Sequence, residues 1–282
     1  MSHNRPFPVA SRRLLLLVFA AAIALPACAG QVSSKADVFD ARKEEFRLGE
    51  RSVDLTFVKP VKPRTPQYLV LYATGDAGGM GAAGAIFERM ADERFTLAGY
   101  SSKQLVAPDK GSKRRVPIAE AASFIDAIIV HSRKALGLPD ATPVIVTGYS
   151  RGANLVVFAA GVTSLQHNVA GAVAIALTRE TDFLETPDPA NRPAGVVVDE
   201  KGRIQTYPAI VRAGPIPFAV IQSKGDSYVR SEEARKLFGP DTPTRRLYEV
   251  DARNHGFSGG RDELLRDLDE ALAWIEGARK PE

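Results

Sequence analysis

The chain has 282 residues, 45% of them hydrophobic and 25% charged, with a single cysteine and a formal net charge of +4. This composition excludes a disordered or low-complexity chain, and one cysteine excludes an internal disulfide framework. Residues 1–27 hold three arginines and no acid, so without them 34 basic groups face 33 acidic ones, and the global charge argument for a nucleic-acid partner disappears.

In chain order, Arg5, Arg12 and Arg13 precede an apolar stretch over residues 14–25, then Pro26, Ala27 and Cys28. A basic start followed by a short apolar run predicts a secretory signal peptide over 1–27, too short for a spanning helix. Ser11-Arg12-Arg13 faintly resembles a twin-arginine signal. Leu25-Pro26-Ala27-Cys28 reads as a lipobox, which predicts a mature chain beginning at a lipidated Cys28 and tethered to a membrane in the periplasm. Cleavage after Ala29 is the alternative, because Ala27-Cys28-Ala29 also satisfies the small-x-small rule. Residues 28–45 read as a polar tether, and 46–282 as one domain.

Within that domain strands alternate with helices: strands at 53–58 and 68–72, a helix from 82, a strand at 95–99 and a helix at 118–136. Alternation of this kind predicts βαβ crossovers and a mostly parallel central sheet with helices on both faces. Lys103, Lys110, Lys113, Arg114 and Arg115 cluster in the loop after the strand at 95–99, a solvated basic loop or a contact for lipid phosphates. Prolines 187, 189, 193, 208 and 215 break the alternation and predict a short lid insertion over 184–216.

The chemistry centres on Gly148-Tyr149-Ser150-Arg151-Gly152, set between an apolar β-run (144–146) and a small-residue helical run (153–160). G-x-S-x-G in this context is a nucleophile elbow, which exposes a serine on a strained strand-to-helix turn. The partners follow in the order an α/β-hydrolase fold needs, serine, then acid, then histidine. The apolar strand 218–221 runs out through Ser223-Lys224-Gly225 into Asp226, and the strand 247–250 into Asp251-Ala252-Arg253-Asn254-His255. Ser150, Asp226 and His255 are therefore the candidate catalytic residues, with Asp251 and Glu232 as competing acids. Backbone N–H groups of Arg151 and of Asp76 or Ala77, in the loop Thr74-Gly75-Asp76-Ala77-Gly78-Gly79, are the candidate oxyanion donors. The chemistry these residues support needs neither cofactor nor metal.

Four segments resemble the bacterial virulence protein VirJ/AcvB family of secreted α/β-hydrolases. They are TGDAGG (74–79), GYSRGAN (148–154), LTRETDF (177–183) and NHGF (254–257), and the similarity runs over most of residues 66–275. The resemblance implies a serine hydrolase acting on aminoacyl-phosphatidylglycerol, notably the lysyl ester, in the periplasm. Asp182 and Glu180 are then candidate partners for a lysyl ammonium, although Asp182 could instead cap the next turn. Met80 and Ser101-Ser102-Lys103-Gln104-Leu105 stand where that family carries aromatic residues. A broad-specificity esterase or peptidase, and a non-catalytic envelope lipoprotein with secretion-system partners, are the competing classes.

Overall fold

The computed structural model describes residues 38–49, 51–65, 67–106, 115–162, 168–186 and 192–278. Cys28 with the whole of 1–37, Lys110, Lys113, Arg114, Pro187 and Pro189 lie outside the described residues.

Eight strands build the central sheet: β1 (Phe39–Leu48), β2 (Arg51–Pro60), β3 (Tyr68–Thr74), β4 (Phe95–Ser101), β5 (Val144–Tyr149), β6 (Val169–Ile175), β7 (Phe218–Ser223) and β8 (Arg245–Val250). Their order across the sheet is β1-β2-β4-β3-β5-β6-β7-β8. β1 with β2 and β2 with β4 run antiparallel, and every later pair is parallel. This is the α/β-hydrolase fold expected from the strand–helix alternation.

The interior strands are apolar on both faces because each face is covered. Tyr68, Val70 and Tyr72 of β3 join one cluster with α1 (Ala82–Met90), while Leu69, Leu71 and Ala73 join the opposite cluster with α2 (Ile118–Leu136) and α3 (Arg151–Ala160). The first cluster also takes the buried face of α5 (Arg261–Ala278), and the second takes Ala234 of α4 (Ser231–Phe238).

The polar tether expected over residues 28–45 is corrected at its end, since residues 39–45 belong to β1. That strand is an edge, mostly exposed and charged (Asp40, Arg42, Lys43, Glu44, Glu45), so its sequence reads as solvated linker while its backbone pairs with β2 along its whole length. Phe46 anchors it, its ring 5.7 Å from Phe124 and 4.7 Å from His131.

The described residues of the insertion expected at 184–216 pair with neighbouring segments. Leu184–Glu185 pairs with Val116–Pro117, and Ile204–Gln205 pairs antiparallel with Glu180–Thr181. A short helix (Thr206–Ala209) and a 3₁₀ turn (Ile210–Ala213) follow. Arg115, from the basic loop, donates to the Gly202 carbonyl of this segment. Among the described residues no helix is long and apolar enough to cross a membrane.

Candidate active site

Ser150 sits where β5 turns into α3, with φ 55° and ψ −117°, a backbone conformation a side-chain-bearing residue adopts at a cost of about 1–3 kcal/mol. The flanking glycines make the turn sterically feasible. A Cβ on Gly148 would stand 2.3 Å from the Gly152 carbonyl oxygen, and one on Gly152 would stand 2.1 Å from that of Ala73 in β3. Strand and helix can approach this closely only without those carbons. The Ser150 N–H donates to the Ile175 carbonyl at 2.8 Å, tying the turn to β6.

The loops after β7 and β8 bring the other two residues to the serine. Gly225 N–H and the Ser223 hydroxyl both donate to the Ala252 carbonyl, at 2.9 and 3.0 Å, which clamps one loop to the other. Asn254 shapes the second loop, its Oδ1 accepting from the N–H of Gly256 at 3.0 Å and of Ser258 at 3.1 Å. His255 Nδ1 then lies 2.7 Å from Asp226 Oδ2, and its Nε2 lies 2.9 Å from Ser150 Oγ. Because a carboxylate only accepts, Nδ1 carries the proton and Nε2 is left to accept from the serine hydroxyl.

Asp226 has no exposed side-chain surface, against 18% for His255. The buried carboxylate is fully matched: Oδ1 accepts from the Tyr228 N–H at 2.8 Å, and Oδ2 accepts from Gln222 Nε2 at 3.0 Å as well as from His255. Asp251 and Glu232 are exposed, and the carboxylate bound to the imidazole is that of Asp226. Tyr149, inside the elbow, donates its phenol to the His255 carbonyl at 3.0 Å. Burial pushes that phenol up to about 12, aided by the Asp226 charge. Tyr228 packs edge-on against the imidazole at 4.7 Å.

Ser150 opens onto a cavity of about 830 Å³ whose wall includes Asp76, Arg151, Asn154, Glu180, Asp182 and Arg203. Arg151 is the first residue of α3, so its N–H has no intrahelical acceptor. The glycine loop lies beside it, with Asp76 ion-paired to the Arg151 guanidinium, which also stacks over Phe183 at 4.8 Å. Most of the residues around it carry polar or charged side chains. Glu180 is engaged by Arg203, which also binds Asp199 at 2.7 Å, so its charge is already matched. Asp182 is exposed and, among the described residues, makes no ion pair; Leu184–Glu185 follows as a strand, so it caps no helix. The insertion contributes Val197, Asp199, Arg203 and Gln205 to the wall. Among the described residues no group of three or more His, Cys, Asp or Glu side chains is arranged to hold a metal ion.

Gln222, Tyr149, Tyr228, Phe183 and Arg203 were not legible as site residues. Tyr149 and Phe183 alone carried a signal, by lying within the elbow motif and the segment 177–183.

No family model matches the sequence, and no curated protein is similar to it. Solved structures are. Est1E from Butyrivibrio proteoclasticus superposes with a TM-score of 0.59 at 13% identity over 83% of this chain and 99% of its own. XC6422 from Xanthomonas campestris, described as a member of the α/β serine hydrolases without a lid, gives 0.54 at 11% over 86% and 97%. An α/β serine hydrolase homologue from Coxiella burnetii gives 0.55 at 11% over 82% and 97%. At these identities the likeness is one of fold.

Proposed function

We propose that this chain is a serine hydrolase that cleaves a carboxylic ester by acyl transfer to water. The carrying observation is the continuous hydrogen-bonded series Ser150–His255–Asp226, at 2.9 and 2.7 Å, on a strained elbow open to a cavity. His255 Nε2 takes the Ser150 proton as Oγ attacks the ester carbonyl, and Asp226 stabilises the imidazolium. The N–H groups of Arg151 and Asp76 receive the oxyanion, a role supported by their common place on the cavity wall. His255 returns the proton to the leaving alcohol, and a water deprotonated by the same imidazole releases the acyl group from Ser150.

The substrate we propose is an aminoacyl-phosphatidylglycerol of the lysyl type, as in the VirJ/AcvB family, met in the periplasm by a protein anchored through Cys28. The motifs at 74–79, 148–154, 177–183 and 254–257 support this reading, as does a cavity whose wall carries an exposed carboxylate, Asp182, that makes no ion pair among the described residues, for an ammonium group. A fatty-acyl pocket would be lined by apolar side chains instead.

Incubation of the protein with vesicles containing lysyl-phosphatidylglycerol, with release of free lysine as readout, tests the substrate. Hydrolysis of simple aryl esters without lysine release would favour a broad-specificity esterase. Absence of any Ser150-dependent turnover would favour a scaffold at the envelope. Mass spectrometry of the mature N-terminus tests the anchor, because an unmodified chain starting at Gly30 would remove it.

A further inference from the structure

Gln222 occupies the fifth of the six positions of β7, and the apolar alternation of that strand calls for an aliphatic side chain there. Phe218 and Val220 pack into one core cluster, Ala219 and Ile221 into the other, and Gln222 continues the Phe218 and Val220 face with no exposed surface. A primary amide buried among apolar neighbours is unfavourable unless its polar atoms are matched. Here only half of it is. Nε2 donates both hydrogens, to Asp226 Oδ2 at 3.0 Å and to the Val229 carbonyl at 2.7 Å, while Oε1 is buried with no partner. The amide cannot be turned over, since that would set Oε1 against a carboxylate and a carbonyl, two groups that only accept.

We propose that Gln222 is a positioning residue for the imidazole: its amide, held in one orientation by Val229, fixes the Asp226 carboxylate and shares its negative charge, and so sets the basicity of His255. The proposal deepens the hydrolase reading above and rests on it for its catalytic meaning. Three donors converge on this carboxylate, and Gln222 is the one supplied by a sheet strand rather than by a loop. A hydrogen bond to a buried anion is stronger than one between neutral groups, and each donor withdraws charge that the imidazole N–H would otherwise feel. Among the described residues, three phenols lie close to the pair. Tyr149 comes from β5, Tyr207 from the short helix 206–209, and Tyr228 from the loop of Asp226 itself; Arg261 at the start of α5 faces Tyr149. Burial holds the Tyr149 and Tyr207 phenols above their ordinary range, so neither competes for the proton near neutral pH.

Two substitutions separate this role from packing. Gln222→Met keeps the volume and removes the donor; Gln222→Glu keeps the shape and makes the donor conditional on protonation. The imidazole Cε1–H of His255, followed by NMR across pH in the full chain, reports basicity without any substrate. In Gln222→Met the carboxylate is less delocalised, so the His255 midpoint is expected to rise by about half a pH unit or more. With an ester substrate, kcat should fall about tenfold or more while KM stays within about twofold, because the amide reaches the reacting atoms only through Asp226 and His255. In Gln222→Glu two carboxyls share one buried site, so the new one holds its proton well above the ordinary carboxylate range and donates it to Asp226. That variant should be active only in the window between deprotonation of His255 and ionisation of the glutamate, with a descending limb absent from wild type and from Gln222→Met. Circular dichroism and thermal melts establish that each variant folds. A folded Gln222→Met whose His255 midpoint and kcat match wild type overturns the proposal, as does a Gln222→Glu profile parallel to wild type. Wild-type protein lacking Ser150-dependent hydrolysis overturns the hydrolase reading instead, and the NMR titration still decides the role of Gln222.

Discussion

Gly75 lies directly against Ser150: a Cβ built on the glycine would stand 3.1 Å from the serine Cβ and 3.2 Å from Tyr149 Cδ1. The glycine loop and the elbow are therefore in contact, and the proposed oxyanion donors, Asp76 and Arg151, are the residues that follow Gly75 and Ser150. Gly75→Ala adds a methyl that either Ser150 or the loop must accommodate by a few tenths of an ångström. Losing one well-placed oxyanion donor costs about 10²-fold or more in kcat, so we expect a loss of about tenfold to 10²-fold from this displacement, with the melting temperature little changed. Steady-state kinetics beside a thermal melt checks it; full activity would place the second donor elsewhere.

Asp226→Asn should lower kcat by about 10⁴-fold, because an amide at this position can present a donor to Nδ1 and favour the wrong imidazole tautomer. Asp251→Asn should leave kcat within about twofold, since Asp251 is exposed and the imidazole Nδ1 is held by Asp226. Parallel kinetics of the two variants checks the ranking.

Asp182 and Glu180 should separate under the lysyl-ester proposal. Asp182→Asn removes an exposed carboxylate of the wall and is expected to raise KM for a cationic aminoacyl ester by about fivefold to tenfold, with little effect on a neutral ester. Glu180→Gln frees Arg203 and should act less through substrate charge than through loosening of the Arg203–Asp199 segment. Comparing cationic and neutral esters of one alcohol measures both.

Tyr149 gives the fold an alkaline sensitivity. Its phenol, ordinarily near 10.0, is pushed up to about 12 chiefly by burial. A raised value means the folded state holds the proton longer than the unfolded chain, so the contribution to stability is complete below the unfolded value and is lost as pH rises from about 10 through about 12. Tyr149→Phe should flatten part of that loss in denaturant titrations at alkaline pH and also loosen His255, whose carbonyl it binds.

The parallel core was legible in the sequence because strands buried on both faces are short apolar runs between turn residues, and residues 68–72, 95–99 and 218–221 have that form. The helix at 118–136 matches α2 in its bounds. β1 was illegible for the opposite reason: an edge strand can stay charged on both faces, and its backbone pairing leaves no mark in composition. In the site, the order of Ser150, Asp226 and His255 was readable since each lies in a loop beyond a strand's carboxyl end. Gln222 was not, because one polar residue in an apolar strand has no periodicity of its own. The pairing of Glu180 with Arg203 escaped because it joins segments 23 residues apart, a contact made only when their short strands pair.

The central claim, that Ser150 is an activated nucleophile, is tested most directly by labelling with a fluorophosphonate and locating the adduct by peptide mass spectrometry. The account predicts one adduct, on Ser150, absent in Ser150→Ala and at least about 10²-fold slower in His255→Ala, with both variants folded. Unlabelled wild-type protein, or labelling that survives in Ser150→Ala, would contradict it.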